Sequence, residues 1–131
     1  MLSREEVDGF IAKLGDGSID YEEVEEGLWV VSPGDSETGV VINYTPPIVV
    51  MRVKVMALPT DEKVQANFMK VVLRFNTELV HGAYGLEGED IVLTSAHELE
   101  NLDFNEFQAS FDDIVLALAS HVPVLAKHGE A

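Results

Sequence analysis

The sequence predicts an α+β domain in which helices pack on a mainly antiparallel sheet, in the order α-β-β-β-α-β-β-α. Three observations carry that expectation. Apolar spacing switches repeatedly between the helical period near 3.6 and the strand period of 2. Turn-forming stretches separate the successive strands. The 131 residues contain no repeat, linker or low-complexity tract, so 1–131 reads as a single domain, long enough to bury a core without staples.

Each element has its own signal. Ser3 followed by Glu6 forms a capping box, and Val7, Phe10, Ile11 and Leu14 recur at helical spacing until Gly15. The stretch from Tyr21 to Val31 reads as one strand, "SPGDSETG" (32–39) as a turn and "VVINY" (40–44) as a second strand. "TPP" at 45–47 interrupts it, because proline supplies no ladder donor. "IVVMRVKVMAL" (48–58) is the longest strand. A second helix follows, with Thr60 as N-cap, a buried stripe of Val64, Phe68, Val71, Val72, Phe75 and Leu79, and an end near His81-Gly82. Residues 83–87 and 90–96 form two short strands around Gly88-Glu89. Asp103 with Glu106 caps a last helix that presents Phe104, Phe107, Phe111, Ile114, Val115 and Leu118 on one face; Pro123 ends or bends it.

One stretch, "LGDGSIDYEE" (14–23), imitates the second half of a calcium-binding EF-hand loop. With Gly17 at loop position 6, Asp16, Ser18, Ile19 and Glu23 all fall where such a loop needs them. The same register puts Ala12 and Leu14 at positions 1 and 3, and neither can ligate a hard cation. The residues after Glu23 turn into Leu28-Trp29-Val30-Val31, a strand and not the second helix of an EF-hand. The stretch is a helix end, an Asp16-Gly17 turn and the start of a strand.

Composition excludes several function classes. There is no cysteine, hence no disulfide framework, Cys-ligated zinc or thiol chemistry. With 24 acidic residues against 8 Lys and Arg, the formal charge is −16. That field repels phosphate backbones and anionic lipid, so neither nucleic acid nor a membrane is an expected partner. The start "MLSREEVDGF" is too acidic for a secretory signal, and apolar runs such as Ile48–Met51 are too short to span a bilayer. A soluble, cytoplasmic protein is the expectation, with the acidity serving solubility or a basic or aggregation-prone partner.

Catalytic and metal signatures are missing from the sequence. Gly82, Gly85 and Gly88 are spaced by three and follow a helix, unlike a dinucleotide fingerprint. Histidines 81, 97, 121 and 128 show no metal-ligand spacing, and His97-Glu98 lacks the HExxH continuation. The serines have no GxSxG or SxxK context, and "DYEEVEEG" has no catalytic companion nearby. The expectation is a non-enzymatic protein without cofactor or metal.

The sheet is more informative. Alternation along the third strand separates Val49, Met51, Val53, Val55 and Ala57, which should meet the helices, from Ile48, Val50, Arg52, Lys54, Met56 and Leu58. The second set mixes cations with large apolar groups. Arg52 and Lys54 could pair across strands with the carboxylates at Glu22–Glu26 on a solvated face. Alternatively the face holds an extended segment or a second subunit, with Trp29, Tyr44, Val50, Arg52, Lys54 and Met56 as its contact residues. On that reading Met56→Asp or Trp29→Ala weakens association and leaves folding intact.

The element order, the small acidic cysteine-free chain and "GAYGLEGEDIVLTSAHELENLDFNEFQASFDDIVLALASH" (82–121) together resemble the YbjN family, which is similar in fold to the type III secretion chaperones. The hairpin leading from "YGLEGEDIVL" into an apolar last helix is the most telling part. The resemblance implies a small non-enzymatic domain. On the chaperone side it implies homodimers that wrap an extended effector segment, and on the YbjN side a regulatory or stress-related role. The expected function is a protein-binding module, chaperone-like or regulatory, that engages another polypeptide or its own copy through a sheet face or edge. The alternative is a small-molecule-binding or enzymatic domain with a pocket between helices and sheet.

Overall fold

A computed structural model describes residues 1–33 and 39–129. Residues 34–38 of the expected turn lie outside the described residues. The chain runs through α1 (Arg4–Lys13), a 3-10 turn (Leu14–Gly17), β1 (Asp20–Glu25), β2 (Leu28–Ser32), β3 (Val40–Thr45), β4 (Ile48–Ala57), α2 (Glu62–Phe75), β5 (Ala83–Glu87), β6 (Asp90–Glu98) and α3 (Phe104–His128). All six strands form one antiparallel sheet of order β1-β2-β3-β4-β6-β5. The α+β class and the antiparallel sheet are those the sequence predicts.

Local chemistry explains the boundaries. At α1, the Ser3 hydroxyl accepts from the Glu6 amide and the Glu6 carboxylate accepts from the Ser3 amide, each at 3.1 Å. Gly15, Asp16 and Gly17 all take positive φ, which carries the chain out of the helix. Glu23, the would-be calcium ligand, instead accepts two 2.9 Å hydrogen bonds from Arg4 and one from the Gly27 amide.

Several elements differ from expectation. The stretch Tyr21–Val31 is two strands, because Gly27 at φ +78 reverses the chain into a hairpin. Asp61, not Thr60, caps α2, accepting from the Lys63 and Val64 amides. That helix stops at Phe75, six residues before His81, because the Asn76 side chain turns to bind the backbone of Tyr84 at both ends of its amide. Asp113 of α3 then accepts from the Val80 and His81 amides and holds the connection. Pro123 does not end α3, which continues to His128. At 25 residues α3 is long and apolar enough to cross a bilayer by length and composition, contrary to the run-length expectation. Its Phe107, Phe111, Ile114 and Leu125 are buried in the core.

The core lies between one sheet face and the helices. Val31, Ile42, Met51, Val53 and Leu93 from the sheet meet Phe68 of α2 and Phe107, Phe111 and Ile114 of α3. Phe10 of α1 packs on Phe104 and Phe107 with ring centroids 5.7 and 5.6 Å apart.

Candidate functional site

Antiparallel pairing fixes which side chains share the face away from the helices. Val30, Val41, Arg52, Thr94 and Ala83 stand opposite one another in one row across the sheet. Leu28, Asn43, Val50 and Ala96 form the next row, and Thr45, Ile48 and Glu98 a third. Leu28, Val30, Val41, Ile48 and Val50 are half-buried by their neighbours, yet none belongs to the core cluster or packs against it. An apolar centre is therefore presented on the outer face of β2, β3 and β4. Among the described residues, no helix covers it.

Of the six predicted contact residues, Val50, Arg52 and Lys54 stand on this face and Trp29, Tyr44 and Met56 do not. Trp29 pairs with Ile42 on the helix side and is wholly buried, its Nε1–H donating to Asp8 Oδ1 at 3.0 Å. Tyr44 follows the same parity; it packs against the core, and its hydroxyl donates to the Leu2 carbonyl at 2.8 Å. Trp29 fastens α1 to the sheet, and Tyr44 fastens the residues just before it. Met56 is turned by a β-bulge between Lys54 and Met56, after which it pairs with Ile91 and packs on the core. The same bulge exposes Ala57 and buries Leu58.

The electrostatics also differ from expectation. Arg52 pairs with Glu87 and Lys54 with Asp90 at 3.4 Å, not with Glu22–Glu26. The cause is strand order: β6 and β5 adjoin β4, whereas β1 lies three strands away. The cations are thus drawn toward the β5 side, leaving the valines of β2, β3 and β4 as a neutral apolar surface.

The two edges are unlike. β1 is exposed along its length and carries four carboxylates in six residues, a composition that discourages pairing with a second copy of itself. β5 carries only Glu87, already held by Arg52. Beside it, Met69 and Leu73 of α2 and Leu86 of β5 line a shallow apolar cavity of about 150 Å³. Leu73 is 66% and Leu86 54% exposed.

Two polar contacts inside the molecule have no signature in sequence spacing. His97 Nε2 lies against the hydroxyl of Ser110 and within 3.5 Å of that of Ser95. Burial pushes the His97 pKa down, the charge of His81 adds to this, and Glu106 opposes it. Ser110 is fully buried and His97 half-buried, and the contact joins α3 to β6. His121 stacks on Phe75 at 3.8 Å and meets the Tyr84 hydroxyl at 2.7 Å, tying α3 to α2 and β5. Burial, with the charge of Glu78, pushes the Tyr84 pKa up to about 12. Among the described residues, no group of three or more His, Asp or Glu side chains is placed to hold a metal.

The family model CesT_Tir_1, of the type III secretion chaperones, matches residues 2–130. The chain belongs to this family. Solved structures of the same fold include a chain of the heterodimeric ExoU-SpcU complex from the type III secretion system of Pseudomonas aeruginosa. The TM-score is 0.68 at 12% identity, over 89% of this chain and 95% of that one. A chain of the ExsC-ExsE complex gives 0.65 at 14% identity, over 95% of this chain and 97% of that one. YbjN from E. coli gives 0.64 at 8% identity, over 92% of this chain and 91% of that one. No curated protein sequence matches. At these identities the solved neighbours establish a shared fold, and the YbjN resemblance of residues 82–121 is a resemblance of fold.

Proposed function

We propose that this CesT_Tir_1 family member is a non-catalytic, cytoplasmic chaperone that holds an extended segment of another polypeptide on the outer face of its sheet. The carrying observation is the apolar centre formed by Leu28, Val30, Val41, Ile48 and Val50, which stands outside the core cluster. A solvated outer sheet face would alternate apolar-in with polar-out; here five outward positions of β2, β3 and β4 are valine, leucine or isoleucine. Such a surface removes water from the apolar side chains of an unfolded segment, while Asn43 within it and Arg52 and Lys54 at its margin offer polar contacts. The ExoU-SpcU and ExsC-ExsE neighbours are solved as complexes with polypeptide partners, which supports the same mode of action.

Self-association belongs to the β5 side in this reading. Two β5 edges can pair without bringing carboxylates together, and the flanking Leu73 and Leu86 would be buried in doing so. The two surfaces are then separate: the face for the client, the edge for the second copy.

Affinity purification of the tagged protein from its native lysate, beside a Val41→Asp/Val50→Asp variant, tests the proposal. A polypeptide recovered in stoichiometric amount with the wild type and reduced at least about tenfold with the variant is expected, since burying two unpaired carboxylates costs several kcal/mol. Equal recovery with both proteins refutes the assignment of the face.

A further inference from the structure

An open groove of about 750 Å³ lies between the first turns of α2 and the last turns of α3, away from both the sheet face and the β5 edge. Val64, Pro123 and Val124 give it apolar walls, and Lys63, Lys127 and His128 stand at its margin. Asn67 Nδ2 and His128 Nδ1 approach to 3.3 Å across the two helices. Its size falls in the range of small-molecule sites, as does the pattern of apolar walls with a few polar groups.

Cations of this acidic chain gather beside the groove. Lys63, Asn67, Lys70 and Arg74 are exposed and follow at four, three and four residues, so they form one ridge of α2. With Lys127, this ridge and the end of α3 hold four of the eight Lys and Arg in a chain of charge −16, and Lys63 and Lys127 of these line the groove. Among the described residues, none of the four is in an ion pair, whereas Arg4, Arg52 and Lys54 all are. The dipole of α2 presents its positive end here and that of α3 its negative end, and the Asp61 and Glu62 carboxylates stand at the start of α2, so Lys63 and Lys127 are the two cations the groove itself offers to an anion.

We propose that this groove binds a small monoanionic amphiphile, a carboxylate head on an apolar body, with the head between Lys63 and Lys127 and the body along Val64, Pro123 and Val124. Charge complementarity selects the head and the apolar walls select the body. The whole-molecule field decides against a longer acidic segment. Each added negative charge on the ligand is repelled by the remaining carboxylates, whereas two nearby ammonium groups compensate a single charge within a Debye length of about 8 Å. The site is independent of the polypeptide-binding face.

Octanoate, 1-octanol and octyltrimethylammonium, titrated into the isotopically labelled full chain, separate the possibilities by backbone amide shifts. Octanoate should move the amides of 63–67 and 124–128, with octanol about tenfold weaker and the cation weaker still. Lys63→Glu/Lys127→Glu, both exposed positions, should weaken octanoate at least about tenfold while Val41→Asp/Val50→Asp leaves it unchanged. Octanol binding as tightly as octanoate, shifts confined to other surfaces, or indifference to the double charge reversal would each overturn the proposal. So would displacement of octanoate by a tighter-binding acidic amphipathic peptide, which would make the groove a polypeptide site.

Discussion

Trp29 is the residue at which the two faces of the sheet are easiest to confuse, and its surroundings decide the matter. It is wholly buried and its indole N–H is held by Asp8 of α1, so truncation removes core volume and leaves that carboxylate without its donor. Trp29→Ala should cost about 3–5 kcal/mol, measured by urea denaturation at unchanged m-value. Met56→Asp should also unfold the chain, because the bulge delivers its side chain to the core. His97 gives a pH dependence of definite sign. Its folded pKa is depressed, chiefly by burial, so the folded state binds fewer protons there than the unfolded state, whose value is about 6.5. The stability this contributes is present above that value and is lost as pH falls through it toward the folded pKa. The difference in thermal midpoint between wild type and His97→Gln should therefore narrow or reverse in sign as pH is lowered from 7.5 to 5.5. A constant difference would show that His97 does not titrate with unfolding.

The elements show which parts of the fold the sequence makes legible. The caps at Ser3 and Asp103, the hairpin around Gly88-Glu89 and the apolar stripes of α1 and α3 are local signals, and each of these stands where its signal places it. What is not legible depends on partners distant in sequence. The end of α2 at Phe75 rests on Asn76 reaching Tyr84, and no spacing rule announces such a contact. The Gly27 hairpin hides inside an acidic run whose only turn residue is a single glycine. Alternation in β4 holds through Lys54 and fails at Met56, because a bulge shifts parity without a required residue type. Val50, Arg52 and Lys54 were thus within reach of pattern, whereas Val30 and Val41 needed the register of β2 on β3. The independence of face and edge is testable at this scale. Leu73→Glu/Leu86→Lys should abolish concentration-dependent dimer in light scattering and leave client recovery from lysate within about twofold. Loss of both together would mean that client binding requires the second copy.

For the whole molecule, the charge of −16 and an apolar sheet face that no described helix covers pull in different directions. Self-repulsion keeps a protein with an exposed apolar surface from condensing, and it lowers the stability of the compact state. Raising sodium chloride from about 0.02 to 0.5 M should therefore raise the thermal midpoint, and the Debye length shortens from roughly 20 Å to about 4 Å over that range. A midpoint that falls with salt would show that the few ion pairs outweigh the repulsion. Methyl spectra of valine-labelled protein test the role of the face directly. On addition of the copurified polypeptide, the methyl signals of Val30, Val41 and Val50 should shift while those of Val7, Val49 and Val53 in the core stay in place. Shifts confined to Val64 and Val124, or to Val24 at the β1 edge, with Val30, Val41 and Val50 unmoved, would contradict the account.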